Sequence, residues 1–306
     1  MRYIKPMLAT LVKEPFNREG WIFEIKWDGF RAVADINRSE VRLYSRNFLN
    51  FNEKFQPIVQ ALQKLKLQAI FDGEVVVLDK RGKSHFQLLQ NFQETGEGQL
   101  TYYVFDILSL NGKNLMTTPL LERKKILKKI LPKNKLIKYS DHIEKNGINF
   151  FKIAKKSGLE GIIAKEASSP YRPGKRTLEW QKIKVHMQQE AVIAGFTEPR
   201  GGRKKFGALV LGVYNRDKLV YIGHTGGGFN EESLNLIYNK LKPIVQKRSP
   251  FAVAPKTNTP VTWVKPKLVC EITFSEWTSD GHMRQPIFLG IRPDKSPKEV
   301  KRERPI

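Results

Sequence analysis

Over residues 21–46 apolar and polar residues alternate with a period of two. Only a half-buried extended chain can use such a pattern, because successive side chains of a strand point to opposite faces. Phe23, Ile25 and Trp27 fall on one face, while Glu24 and Lys26 share the other. The pattern predicts a reversal near Asp28-Gly29, with strands at 31–35 and 41–45 joined by the polar turn Asn37-Arg38-Ser39-Glu40. A helix is expected to start near Pro57 and to bury Ile58, Leu62 and Leu65. FDGEVVVLD reads as a second hairpin turning at Asp79-Lys80-Arg81-Gly82, and YYVFDIL as a strand. Thr118-Pro119 opens a helix running to Leu131, and a further helix over 149–156 ends at Gly158.

After Trp180-Gln181-Lys182-Ile183-Lys184 the texture changes to short strands separated by glycine: EAVIAGF, GALVLGVY, LVYIGHTGGGF, VKPKLVCEITFSEW and QPIFLGI, with one helix around 231–242. Five short strands and a helix suit a small Greek-key barrel of the OB type. A domain boundary is therefore expected near 187, dividing the chain into 1–187 and 188–306. The loop Pro199-Arg200-Gly201-Gly202-Arg203-Lys204-Lys205 and the run Gly226-Gly227-Gly228 do not match GxxxxGK[ST], which excludes a Walker P-loop and leaves them as turns. The basic, proline-containing tail from Lys295 is expected to be loosely ordered.

Charge narrows the partners. Across 306 residues, 54 Lys and Arg oppose 30 Asp and Glu, a net charge of +24. Such an excess points to a polyanion, nucleic acid first, because neutralising phosphates releases condensed counterions. The lysines run through the whole chain, which fits a long groove better than a basic arm. No run of 18 apolar residues occurs, and the N-terminal stretch lacks a signal-type apolar core, so the reading is an intracellular protein without a membrane partner. Cys270 is the only cysteine, excluding an intramolecular disulfide or a cysteine zinc site, and its alternating neighbours make it a core strand position. The five histidines form no HxxxH pair.

The chemistry-bearing residues recur in a definite order. EIKWDGFR sets Glu24 and Lys26 on one strand face, then Asp28-Gly29 and Arg31. FDGEV sets Asp72 and Glu74 on one face; LEGIIAKE offers Glu160 and Lys165; YRPGKRTLEWQKIK offers Arg176, Lys182 and Lys184. A desolvated lysine can act as a nucleophile. Separated carboxylates can position a divalent ion on a phosphate, and further cations can stabilise charge at the reacting phosphorus. Singly each residue reads as a surface charge; together they favour nucleotidyl transfer.

With these residues in place the chain resembles the covalent nucleotidyltransferases, and among them the ATP-dependent DNA ligases. Lys26-Trp27-Asp28-Gly29 looks like the nucleophile motif KxDG. Ser45-Arg46-Asn47, Asp72-Gly73-Glu74, Tyr103-Val104-Phe105-Asp106, Glu160-Gly161-Ile162-Ile163-Ala164-Lys165 and Trp180-Gln181-Lys182-Ile183-Lys184 look like the succeeding motifs. Arg284 to Lys295 resembles the motif closing the OB domain. PMLATL, GALVLGVY, TGGGF and SEWTSDGHMRQPIFLGIRPDK are similar to the ligase module of the bacterial DNA ligase D family, which serves double-strand-break joining with Ku.

The resemblance implies an α+β, antiparallel-sheet nucleotidyltransferase domain of ATP-grasp-like ligase type, followed by an OB-fold barrel. It implies ATP as cofactor with Mg2+ or Mn2+. Lys26 would form lysyl-AMP, pass the adenylyl group to a 5′-phosphate at a nick, and the 3′-hydroxyl would displace AMP. Glu24 and Ile25 would lie beside adenine, Arg31 and Arg46 would hold ribose or the nick phosphate, and Phe105 would stack on the base. Lys165, Lys182 and Lys184 would hold the α-phosphate with Arg176 nearby, and Glu74, Glu160 and Asp28 would serve the metal. Arg292, Asp294 and Lys295 would orient pyrophosphate when the OB domain closes. Nicked or broken double-stranded DNA is the expected substrate, with Ku and a separate repair polymerase as partners of a cytoplasmic, nucleoid-associated monomer. The motif around Arg46 often ends in glycine; here Asn47-Phe48 follows, and Asn47 is expected to supply left-handed turn geometry. An RNA ligase or an mRNA-capping guanylyltransferase would share the lysine and several motifs, and a non-catalytic OB protein that coats DNA would share the charge. An NAD-dependent ligase is disfavoured, since its four-cysteine zinc module cannot be built from Cys270 alone.

Overall fold

The computed structural model describes residues 3–199 and 204–303. Residues 200–203 of the glycine-rich loop, read above as a turn, lie outside the described residues, as does the end of the basic tail. The chain forms two compact units, one reaching Val185 and one running from His186.

The first unit holds two sheets. Its strands are β1 (Leu8–Leu11), β2 (Trp21–Ile25), β3 (Phe30–Asn37), β4 (Glu40–Ser45), β5 (Gln68–Leu78), β6 (Gln99–Leu110), β7 (Lys113–Asn114), β8 (Ile137–Tyr139), β9 (His142–Glu144), β10 (Gly161–Glu166) and β11 (Arg176–Lys184). Its helices are α1 (Gln56–Gln63), α2 (Phe86–Thr95), α3 (Leu120–Ile130) and α4 (Gly147–Lys156). One sheet runs β1-β11-β10-β2-β9, and the other β4-β3-β5-β6-β7 with β8 added to β6. Pairing is antiparallel except for β1 with β11 and β6 with β8.

Burial shows why the sheets lie as they do. Trp21 and Phe23 of β2 pack with Ala154 of α4, while Ile22 joins Phe105, Leu120, Tyr171 and Trp180 in a separate cluster. Both faces of β2 are therefore buried. Glu24, on the polar side of the alternation, is only 1% exposed and lies on the side of the strand facing away from α4. The other sheet buries Phe30, Ala32 and Ala34 against Phe55, Ile58 and Leu62 and against Phe86 and Leu89.

Two expected hairpins are corrected. β2 and β3 are not partners: Lys26 to Gly29 carries the chain from one sheet to the other. A side chain at Gly29 would run into the Val75 carbonyl of β5, so the crossing demands glycine at that point. FDGEVVVLD does turn at Asp79, whose Oδ1 accepts from Arg81 N–H (2.8 Å) and Lys83 N–H (2.9 Å). The return is a single bridge from Leu78 to Ser84, followed by α2, and β5 pairs instead with β6. α2 went unread because its FQLLQNFQET carries few strong helix signals; Phe86 and Leu89 hold it on β5.

The second unit consists of β12 (Met187–Thr197), β13 (Leu209–Asn215), β14 (Lys218–Thr225), α5 (Glu231–Leu241), β15 (Val261–Phe274), β16 (Glu276–Trp277), β17 (Met283–Arg284) and β18 (Ile287–Ile291). Five strands run β14-β13-β12-β15-β18. Phe288 N–H donates to the Gly227 carbonyl (3.1 Å), tying the last strand to the segment after β14. This is the OB-like arrangement read from the glycine-spaced strands. Cys270 is fully buried in it, and burial pushes its thiol well above the ordinary range. The tail departs from expectation: Val300 is 1% exposed, Tyr214 N–H donates to its carbonyl, and Gln189 bonds Lys301 and Glu303. An apolar anchor and backbone bonds hold what composition suggested would be loose. Among the described residues no helix is long and apolar enough to cross a membrane.

Candidate active site

The register of β2, β10 and β11 arranges the site as a grid. Ile22 lies opposite Lys165, which lies opposite Trp180; Glu24 lies opposite Ile163, which lies opposite Lys182. One row further, Gly161 faces Lys184, and the Lys26 N–H donates to the Gly161 carbonyl (3.0 Å). Because side chains alternate, these rows share one face. A side chain at Gly161 would run into the Ile183 carbonyl of β11, so the last row demands glycine. Lys26 Nζ donates to Glu160 Oε1, and the two side chains are 21% and 8% exposed.

Deeper in the unit, Glu24 accepts from Lys124 Nζ (2.6 Å) and from Lys165 Nζ (2.8 Å), all three essentially buried. Burial alone would raise the Glu24 carboxyl; the two ammonium groups overcome it and hold the pKa below its usual value. Burial lowers Lys165 to about 8, with Glu24 opposing the shift and Lys124 adding to it. Lys124 Nζ also donates to the Ser140 carbonyl (3.0 Å).

The other sheet contributes a second row. Arg31 lies opposite Glu74, which lies opposite Tyr103, and the Tyr103 ring stacks on Trp27 at 3.7 Å. Arg31 is held bidentately by Asp72, Nε at 2.7 Å and Nη2 at 2.6 Å, and Asp72 also accepts from the Tyr171 hydroxyl (2.6 Å). Burial works against the Arg31 charge, but Asp72 outweighs it and keeps the guanidinium protonated. Arg31 and Lys165 both lie over the Phe105 ring, at 4.7 and 4.3 Å. Phe105 is 7% exposed and packs edge-on to Trp180. Arg46 follows Ser45, whose partner is Ala32, so its position continues the Arg31 row at the rim of this sheet.

Some expected residues are not brought together. Arg176 begins β11, eight residues from Lys184, is exposed and donates to the Ala9 carbonyl, away from the lysine row. Asp28 Oδ2 accepts from the first N–H of α2, at Phe86 (3.2 Å). Among the described residues no three His, Cys, Asp or Glu side chains form a group able to hold a metal, so Asp28, Glu74 and Glu160 do not make one preformed cage. Asn47 is not the left-handed residue of its turn; Phe48 is, with φ of 66°.

In the second unit Arg292 is held by Asp294 (Nε 2.9 Å, Nη2 2.8 Å) and by Glu271 (3.1 Å), and Lys295 by Glu190 (2.7 Å). Glu190 and Glu271 are direct cross-strand partners. Like charges so placed repel, and the two cations relieve that repulsion.

Lys124 went unread as a site member. For Lys124 a signal existed: Leu120, Arg123, Lys124 and Leu127 follow helical spacing, so the two charged residues occupy the buried stripe of α3. Arg123 pairs there with buried Asp106 (2.8 Å).

Residues 6–184 match the family model for the ATP dependent DNA ligase domain, and residues 202–295 that for the ATP dependent DNA ligase C terminal region. The multifunctional non-homologous end joining protein LigD of Pseudomonas aeruginosa is 38% identical over 99% of this chain, which spans only 37% of that relative's length. The SPbeta prophage-derived DNA ligase-like protein LigB of Bacillus subtilis is 31% identical, covering 95% of this chain and 99% of its own. Among solved structures, a mycobacterial DNA ligase D complexed with ATP and MES is 34% identical with a TM-score of 0.73, covering 98% of both chains.

Proposed function

The chain belongs to the ATP-dependent DNA ligases, and on that premise we propose that Lys26 is the amine that carries AMP from ATP to a DNA 5′-phosphate. The observation that supports this best is the row Lys26, Gly161 and Lys184, with Glu160 bonded to the Lys26 amine. The amine forms a bond to the α-phosphorus, the bond to the β-phosphate bridge breaks, and pyrophosphate leaves. The Lys26–Glu160 contact favours Glu160 as acceptor of the amine's proton. A DNA 5′-phosphate oxygen then attacks the same phosphorus and frees the lysine; finally the 3′-hydroxyl attacks the DNA phosphorus and AMP departs.

The remaining roles follow the grid. Lys165, Lys182 and Lys184 share the Lys26 face and balance charge on the α-phosphate. Glu24 and Ile25 border the adenine, Phe105 supplies its apolar wall, and Arg31, fixed by Asp72, addresses ribose or phosphate. Arg46 takes the nick phosphate, while Arg292 and Lys295 serve the leaving pyrophosphate. Glu74 and Glu160 each offer oxygen donors of the kind Mg2+ or Mn2+ takes, one or two carboxylates with substrate phosphates completing the shell. When bound, the ion supplies charge neutralisation on the polyphosphate. Asp28, engaged at the start of α2, is the weaker candidate.

In this reading 1–187 is the adenylylation domain and 188–306 the OB domain. The similarity to proteins named for non-homologous end joining supports nicked and broken duplex DNA as substrate. Ku and a separate polymerase are then partners of a monomeric, nucleoid-associated ligase. Intact mass spectrometry with and without ATP and magnesium tests the core claim. An added AMP on the wild type, missing in Lys26→Ala, is expected; a folded wild-type chain that stays unmodified overturns it. Labelling from ATP and not GTP separates ligation from capping, and sealing of nicked DNA over nicked RNA separates the ligases.

A further inference from the structure

The first unit passes between its two sheets twice, and the two passages meet. Lys26 to Gly29 leads from β2 in one sheet to β3 in the other, and Ser140-Asp141 leads back from β8 to β9. The Trp27 indole N–H donates to Ser140 Oγ (3.1 Å), so a side chain of one passage is fastened to a side chain of the other. The Trp27 ring also lies flat on Tyr103 of β6, 3.7 Å away and tilted by only 10°. Ser140 is 1% exposed, and its N–H donates to the Val104 carbonyl of the same strand (2.8 Å), which fixes the acceptor in place.

Ser140 holds the same segment from a second side. Its carbonyl accepts from Lys124 Nζ (3.0 Å), and that ammonium also reaches Glu24 Oε1 (2.6 Å). One buried serine thus braces both flanks of Lys26, two residues before it through Lys124 and one residue after it through the indole. His142 of β9, two residues beyond Ser140, is the cross-strand partner of Glu24. Lys26 needs such support. It lies one residue past the end of β2, and its amine stands on a flexible four-carbon stem. In-line attack tolerates little error, since a misplacement of about 1 Å can cost about a hundredfold in rate.

Resting on the ligase reading and on Lys26 as its nucleophile, we propose that Trp27 and Ser140 are positioning residues for the adenylylation step. The bond between indole and hydroxyl locks the passage after β2 in one arrangement, so the Lys26 backbone presents its amine to the α-phosphorus from a fixed origin. Tryptophan suits the open second place of KxDG, because its ring can stack while its single N–H donates. Both residues act through Lys26. The bond therefore bears on the transfer of AMP and not on ATP affinity, which rests on the groups that meet adenine, ribose and phosphate.

The test uses the whole chain, first discharged with pyrophosphate, and follows the single-turnover rate of AMP labelling against ATP concentration in Trp27→Phe, Ser140→Ala and the double variant. Ser140→Ala removes only the hydroxyl and leaves the carbonyl that holds Lys124, while Trp27→Phe keeps a ring for Tyr103. In each single variant the maximal rate is expected to fall about tenfold, with the ATP concentration for half that rate staying within about twofold of wild type. The double variant should match the slower single variant to within about twofold, because both changes remove the same bond. A core role alone predicts a lower thermal midpoint and a wild-type maximal rate well below it, and that result in both single variants overturns the proposal. A loss carried by the half-saturating ATP concentration, or a double variant whose loss is the product of the two single losses, overturns it as well. A wild-type chain that takes no AMP overturns the ligase reading itself, and this proposal with it.

Discussion

Replacing Lys124 by methionine tests whether the buried charge cluster is part of the chemistry or only of the core. Lys124 is fully buried, pairs with Glu24 at 2.6 Å and donates to the Ser140 carbonyl at 3.0 Å. Removing one partner of a buried pair costs about 3–5 kcal/mol. Here Lys165 still holds Glu24 at 2.8 Å, so a loss of roughly 2–3 kcal/mol is expected in urea unfolding near pH 7. The second effect is on titration. Lys165 falls from 10.5 to about 8 in the folded protein, a cost of about 3 kcal/mol. Its folded pKa lies below its unfolded one, so between about pH 8 and 10.5 the unfolded chain binds more protons. The penalty is present in full below pH 8 and is relieved as pH rises through that window. Lys124 is one of the charges that depress Lys165, so in Lys124→Met the Lys165 pKa rises and the window narrows from below. If Lys165 must be charged to hold the α-phosphate, the alkaline limb of AMP labelling, near pH 8 in wild type, moves upward in the variant. A folded variant whose limb does not move refutes the coupling.

Three other outcomes follow from the same geometry. Lys26→Ala should lose AMP labelling entirely while nicked-DNA affinity stays within about threefold, since the counterion-release term depends on many phosphate contacts and loses one cation; equal labelling would remove Lys26 from the mechanism. In Gly161→Ala the new methyl would meet the Ile183 carbonyl and push β11 away from β10, displacing Lys184 from the row of Lys26. Labelling should drop at least tenfold by rate measurement, and a fully active Gly161→Ala would mean that the lysine row is not where the phosphate sits. Nick affinity should fall linearly on a double-logarithmic salt plot, with a slope of about −0.9 per phosphate contact; a flat plot would mean the excess of 24 positive charges is not directed at DNA.

What could be read from residues alone was whatever local periodicity controls. The β3–β4 hairpin, α1, α3 and α4 and the five strands of the second unit were legible because alternation and helical spacing report directly on which face is buried. The crossing at Lys26 to Gly29 was not. Asp28-Gly29 carries the signature of a turn, and a turn residue does not reveal whether the next strand joins the same sheet; the close approach of β5 to Gly29 decides that. The burial of Glu24 was hidden for a related reason. Period two marks a polar face, but a polar face can be solvent or a charged interior, and only the lysine of α3 and the other sheet make it the latter. The motif lysines could be named singly, whereas their grouping rests on register. Arg176 and Lys184 share one strand, yet only Lys184 reaches the row of Lys26. Phe48 shows the limit of residue preference: Asn47 was the residue expected to turn left-handed, and the bonds to Ser45 force its neighbour to do so instead.

Those bonds and pairs also suggest how a chain with this excess of cations keeps them ready for phosphate. Lys26 sits on Glu160, Arg31 on Asp72, Lys165 on Glu24, Arg292 on Asp294 and Glu271, and Lys295 on Glu190. Acidic residues are outnumbered 54 to 30 overall, yet each of these five cations is held by at least one of them. A partly buried ion pair is close to neutral in free energy, because the desolvation cost nearly cancels the attraction. Exchanging a carboxylate for a phosphate oxygen costs least where the released carboxylate is not sealed in the core, as for Lys26 and Glu160 at 21% and 8% exposure, and the carboxylate has already fixed where the cation stands. An amine packed against apolar side chains alone would have to be both charged and oriented at the moment of binding. The carboxylate-held form needs only a change of partner, so the proposed cycle, which passes AMP from ATP to Lys26 and on to the DNA 5′-phosphate, draws on cations already oriented.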